Sequence, residues 1–119
     1  MTALYEAKLH DGSEGTMATV YVRYQDPESG EVEQVQQSFL RSQVGSDFEE
    51  ASAGFQLAAV VAEYAEILRD SYWARAGSLA DVQAETGRLL RLMSSDADVE
   101  EFAALVSRAQ RLEESASNR

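Results

Sequence analysis

Met17-Ala18-Thr19-Val20-Tyr21-Val22-Arg23-Tyr24 is the stretch on which the fold turns. Ala18, Val20, Val22 and Tyr24 alternate with Met17, Thr19, Tyr21 and Arg23, the period of two expected of a strand with one buried face. Asp26-Pro27-Glu28-Ser29-Gly30 follows. It supplies a Pro whose ring presets φ for a type I turn and a Gly for a bulge residue at positive φ. The chain from about Glu31 to Leu40 is therefore predicted to return as a strand. Its apolar residues are few, Val32, Val35 and Phe39 among Glu33, Gln34, Gln36, Gln37 and Ser38, so it reads as an edge or one-sided strand. Upstream, Ala3, Tyr5, Ala7 and Leu9 alternate with Glu6, Lys8 and His10. The loop Asp11-Gly12-Ser13-Glu14-Gly15 would join a first strand there to the central one.

After Gly45 the period becomes helical. Ser46-Asp47-Phe48-Glu49 has the form of a capping box, and Phe48, Ala51, Phe55, Ala58, Ala59, Ala62, Ala65 and Leu68 then recur at three and four. Val60, Val61, Tyr64 and Ile67 widen that stripe, which predicts a helix buried on more than one side and running to about Ser71 or Tyr72. Ser78-Leu79-Ala80-Asp81 opens a second helix, weakened by Gly87. Asp96-Ala97-Asp98-Val99-Glu100-Glu101 opens a third, with acids in the first turn where the helix dipole favours them. Residues 113–119 have nothing to bury and are expected to fray.

Strands first and helices after is an α+β order. The expected architecture is an antiparallel β-meander of about three strands followed by three α-helices packed on one face. A chain of 119 residues with 45% hydrophobic content has room for one core, so residues 1–112 are read as a single domain, β over about 1–42 and helical over about 46–112.

Charge excludes whole classes of partner. Asp plus Glu number 21 against 10 Lys plus Arg, a net charge of -11, and the cations are scattered. Nucleic acid needs a basic stripe, and an anionic membrane surface needs a basic cluster; direct contact with either is not expected. The longest apolar stretch, Leu57 to Val61, is far too short to span a bilayer, and Met1-Thr2-Ala3 does not begin a signal peptide. Without cysteine there is no disulfide framework and no thiol chemistry.

No constellation points to a reaction. The Asp11 loop approaches the Asp-x-Ser-x-Ser pattern of a metal-dependent adhesion site, but Gly15 replaces the second hydroxyl. Asp96, Asp98 and Glu100 alternate as in a calcium loop, without its Gly at the sixth position or its Glu at the twelfth. His10 is the lone histidine, beside Asp11 at a strand end. The carboxylate pairs Glu49/Glu50, Glu100/Glu101 and Glu113/Glu114 diverge on a helix, where neighbours point about 100° apart. No catalytic, cofactor-binding or metal-ligating residue is assigned, and the chain is expected not to be an enzyme. Most aromatics lie at positions of strand or helix period where core packing accounts for them. Met17, Thr19 and Tyr21 are the candidate interface, because Met17 and Tyr21 are poor choices for the solvated face of a strand.

Four segments carry a family resemblance: Thr2-Ala3-Leu4-Tyr5-Glu6; Ala18-Thr19-Val20-Tyr21-Val22-Arg23-Tyr24-Gln25-Asp26-Pro27; Phe48-Glu49-Glu50-Ala51-Ser52 with the Ala-rich run to Ile67-Leu68-Arg69-Asp70-Ser71; and Glu101-Phe102-Ala103-Ala104-Leu105-Val106. In this order the chain resembles the C-terminal region, a domain of unknown function, of bacterial von Willebrand factor type A domain proteins. It departs at Ser94 to Val99, where the family usually has an Asp-Pro-x-Gly-Tyr-Arg-like segment and only Asp96 is kept. The resemblance implies a fragment of a longer protein, with a type A module ahead of residue 1, and a parent exported or membrane-associated in bacteria. It transfers no metal ligand. The first functional expectation is a non-catalytic accessory domain that packs against or positions that adhesion module; its partner would be the parent's own type A domain or a second copy in a homodimer. An acidic domain recruiting a basic protein is the alternative, and a hydrolase built on His10 the third.

Overall fold

A computed structural model of the chain describes residues 2–45, 47–94 and 96–117. Its internal contacts divide it into two compact units, Tyr5–Asp47 and a helical unit formed by Phe48–Arg119 with Met1–Leu4.

The first unit is a hairpin. β1 (Thr16–Gln25) pairs antiparallel with β2 (Val32–Leu40) in a two-stranded sheet. Val22 lies opposite Val35 and Tyr21 opposite Gln36, and the register slips between Thr16 and Ala18 so that Met17 is an extra residue. Asp26 organises the turn. Its Oδ1 accepts the amides of Glu28 and Ser29 at 2.8 and 2.7 Å and the Ser29 hydroxyl at 3.1 Å. The Gly30 amide donates to the Asp26 carbonyl at 2.9 Å with Gly30 at φ 73°, the positive φ for which glycine is suited.

The meander expected to have about three strands has two. Residues 3–9 are exposed and have no strand partner. Ala3 and Ala7 offer a neighbour one methyl each, too little cross-strand contact to offset the entropy of ordering a further strand. The loop chemistry next to them does form: the Ser13 amide and hydroxyl both donate to the His10 carbonyl, at 3.2 and 2.6 Å.

The helical unit comprises α1 (Ala53–Leu68), α2 (Leu79–Leu92) and α3 (Ala97–Ser117). The expected capping box begins at Ser46, which lies outside the described residues. Phe48–Glu50 forms a single 3₁₀ turn, and α1 starts at Ala53 with the Ser52 hydroxyl accepting the Phe55 amide at 3.3 Å. The later start follows from Gln56, whose Nε2 donates to the Glu49 and Ala51 carbonyls at 3.0 and 2.6 Å and so holds the preceding segment outside the helix. At the other end α1 stops at Leu68, short of the expected Ser71, because Asp70 turns left-handed at φ 53°. The Ser71 amide then donates to the Glu66 carbonyl at 2.9 Å and the Asp70 amide to that of Ile67 at 3.0 Å, a Schellman stop. Hydrogen bonding from the Ser71 hydroxyl, then from Arg69, holds the Glu66 carboxyl below its ordinary value. α3 continues through Ser117, into the segment expected to fray; its backbone bonds need no burial, and the Ser115 hydroxyl ties back to the Arg111 carbonyl at 2.7 Å.

Helix packs on helix. Among the described residues every buried one belongs to α1, α2 or α3, and the core is Val60, Val82, Leu89 and Val106 with Leu57, Tyr64, Ile67 and Phe102 partly buried around it. Within this unit the three-and-four stripes satisfy one another. Tyr64 and Phe102 meet edge to face, 5.5 Å between ring centroids. α1, expected to be buried on more than one side, buries only Gln56 and Val60 completely, while Phe55, Val61 and Leu68 stay exposed.

Leu89→Ala opens a cavity at a fully buried position and should cost about 2–5 kcal/mol in urea unfolding. Gly87→Ala, two residues away on α2, should instead stabilise by up to about 1 kcal/mol, since a Cβ there meets nothing within 4 Å. A Gly87→Ala variant no more stable than the wild type would mean that α2 is not a regular helix at that point.

The Ser29 amide first, then the Glu28 amide and the Ser29 hydroxyl, hold the Asp26 carboxyl below its ordinary value. A carboxyl depressed in the fold contributes stability above the unfolded value of about 3.9, and that contribution is lost as pH falls through the folded value. Carbon-detected NMR titration should place the Asp26 midpoint below the ordinary aspartate value. A midpoint at the ordinary value would refute the turn geometry.

Candidate interaction surface

The residues considered for chemistry are dispersed. His10 is exposed, and its role in the structure is that of a backbone acceptor in the Ser13 turn. The Asp11 loop is shaped by Gly12 and Gly15 at φ 74° and 72°. Asp96 Oδ1 accepts the amides of Asp98 and Val99 at 3.1 and 3.4 Å, so its carboxylate caps α3. No group of three His, Asp or Glu side chains able to hold a metal ion occurs among the described residues. An open depression at the α2–α3 connection is lined by Met93, Ser94, Asp96, Ala97 and Asp98. No described helix is long and apolar enough to cross a membrane.

What the hairpin does carry is surface. Met17 and Thr19 are half-buried and Tyr21 is 60% exposed. This face is largely polar across the strands: Thr19 pairs with Ser38, their hydroxyls 3.3 Å apart, Tyr21 with Gln36, and Arg23 with Gln34. The opposite face holds Ala18 against Phe39, Val22 against Val35 and, between them, Val20. Sequence alternation marked that face for burial, yet Val20, Val22 and Val35 are 49%, 51% and 53% exposed. At its turn end the Tyr24 hydroxyl donates to Glu33 Oε2 at 2.5 Å, which raises the Tyr24 pKa.

The apolar face bearing Val22 is shared between strands. Val35 and Phe39 look sparse along β2, and only the register set at the Asp26 turn brings them beside Val22 and Ala18. Tyr72 and Trp73 are exposed. Ser71 caps the separate 3₁₀ turn that carries both rings.

A family model described as the C-terminal domain of the uncharacterized protein YfbK matches residues 2–112. No curated protein and no solved structure matches the chain. With nearly its whole length covered, and with a mixed α and β composition of one hairpin and three helices, the chain belongs to the family of YfbK C-terminal domains.

Proposed function

We propose that this chain is a non-catalytic accessory domain that packs against or positions another protein surface, in the first place the type A module of its parent. The observation that carries this reading is the exposed cross-strand apolar face of the hairpin, Val20, Val22, Val35 and Phe39. A lone two-stranded ribbon with so much apolar surface in water is marginal, and a covering surface supplies what it lacks. The resemblance to C-terminal regions of bacterial von Willebrand factor type A proteins supports the type A module as that surface and an extracytoplasmic or membrane-associated setting for the parent. A second copy of the chain, meeting through the same face about a two-fold axis, is the other partner of suitable chemistry. Of the two hairpin faces, the one bearing Val22 is favoured over the one bearing Met17, Thr19 and Tyr21, since its cross-strand pairs are the more apolar.

Sequencing the gene upstream of Thr2 identifies the module to be tested. Calorimetric titration of that module with the chain should give saturable binding, weakened at least about tenfold by Val22→Glu, whose charge would have to be desolvated in the interface, and little changed by Tyr21→Glu. Sedimentation of the chain alone over a hundredfold concentration range reads the homodimer in the same way. Failure of both wild-type measurements, or binding indifferent to Val22→Glu, removes the proposal.

A further inference from the structure

The turn between α1 and α2 presents the most exposed large aromatics of the helical unit. Tyr72 is 67% and Trp73 78% exposed, on the short 3₁₀ turn Tyr72–Ala74. The turn is held on every side. Asp70 and the Ser71 amide close α1 behind it, the Ser71 hydroxyl accepts the Trp73 amide at 3.3 Å, and the Ala74 carbonyl accepts the Gly77 amide at 3.0 Å. The two rings meet at 89° with centroids 5.4 Å apart, and the Arg75 guanidinium lies 5.0 Å from the Tyr72 ring centroid. Large rings held rigid in water are the residues on which protein interfaces concentrate their energy, because little side-chain entropy remains to be lost on binding.

Charge selects the partner. Both nearby cations are engaged within the turn, Arg75 on Tyr72 and Arg69 with Glu66 at 2.8 Å. Among the described residues no cation lies on the Trp73 ring, and Asp70 and Glu63 are exposed carboxylates flanking the turn, Glu63 lying against Gly77. From residue 46 onward 14 Asp and Glu stand against 7 Arg, within a chain of net charge -11. Such a surface attracts a basic molecule. An exposed indole is the aromatic on which a cation stacks best.

We propose that the Tyr72–Trp73 turn docks a basic, partly apolar segment of a partner protein, with an Arg or Lys of that segment on the Trp73 indole and its charge facing Asp70 and Glu63. The site is independent of the hairpin face, and Val22→Glu should leave it intact.

Trp73 is the sole tryptophan, so its fluorescence reports this turn alone. The probe is a short fluorescein-labelled peptide alternating arginine and leucine, with a glutamate–leucine peptide as control. Arginine peptide should shift the Trp73 emission to the blue saturably, shield it from acrylamide quenching and raise the label's anisotropy; added salt should weaken all three. Trp73→Ala, which removes an exposed ring, should keep its circular dichroism and melting temperature and bind the labelled peptide about tenfold more weakly. An unshifted, unshielded Trp73 overturns the proposal, as does equal binding of the glutamate peptide or full affinity in a folded Trp73→Ala.

Discussion

The helical unit hangs on one buried amide. Gln56 is 2% exposed in α1, with its Nε2 spanning the Glu49 and Ala51 carbonyls and its Oε1 accepting the Arg88 guanidinium of α2 at 2.5 Å. Arg88 is in turn fixed by Glu85 at 2.8 Å. A buried amide without partners costs about 1–3 kcal/mol, so this position admits only an arrangement that satisfies both ends of the side chain. That requirement sets where α1 begins, which face it turns to α2, and how the chain enters the unit. Around it the apolar contacts of Val60, Val82, Leu89 and Val106 supply bulk stabilisation without direction.

The hairpin obeys a different logic. Its order comes from turn chemistry, with the Asp26 carboxylate satisfying two amides and a hydroxyl, and from the ladder between β1 and β2. Side-chain burial contributes little, for no described residue of the hairpin is fully buried. A ribbon of this kind suits a domain whose interaction surface is exposed in the free chain and completed by a partner. Nothing in the clusters of titratable groups competes with that reading: carboxylates that look suggestive in sequence are used as helix caps or turn acceptors, as Asp96 and Asp26 are.

The two exposed surfaces differ in what recognises them. The hairpin face, where Ala18–Phe39 and Val22–Val35 flank Val20–Gln37, is proposed to meet another apolar surface. The aromatic turn is proposed to take a cation carried on an extended segment. Both are accessible because the segments bearing them are braced by backbone and side-chain hydrogen bonds rather than by packing.

Local rules were enough to determine several features from the sequence alone. Alternation over Met17–Tyr24 and the Asp26–Gly30 turn specified the hairpin, and Ser78-Leu79-Ala80-Asp81 specified where α2 opens. Each rests on interactions between residues close along the chain. The tertiary structure alone decided the rest. Whether Ala3–Leu9 became a strand depended on a partner, and no described strand pairs with it. The start of α1 depended on Gln56 reaching back to carbonyls five and seven residues away and across to Arg88. Which residues of the helical stripes would be buried depended on what lay opposite them within the unit formed by α1, α2 and α3, and which residues would share a hairpin face depended on the register that sets Val22 opposite Val35. Periodicity identifies a face that water disfavours; which surface covers it is a property of the assembled chain.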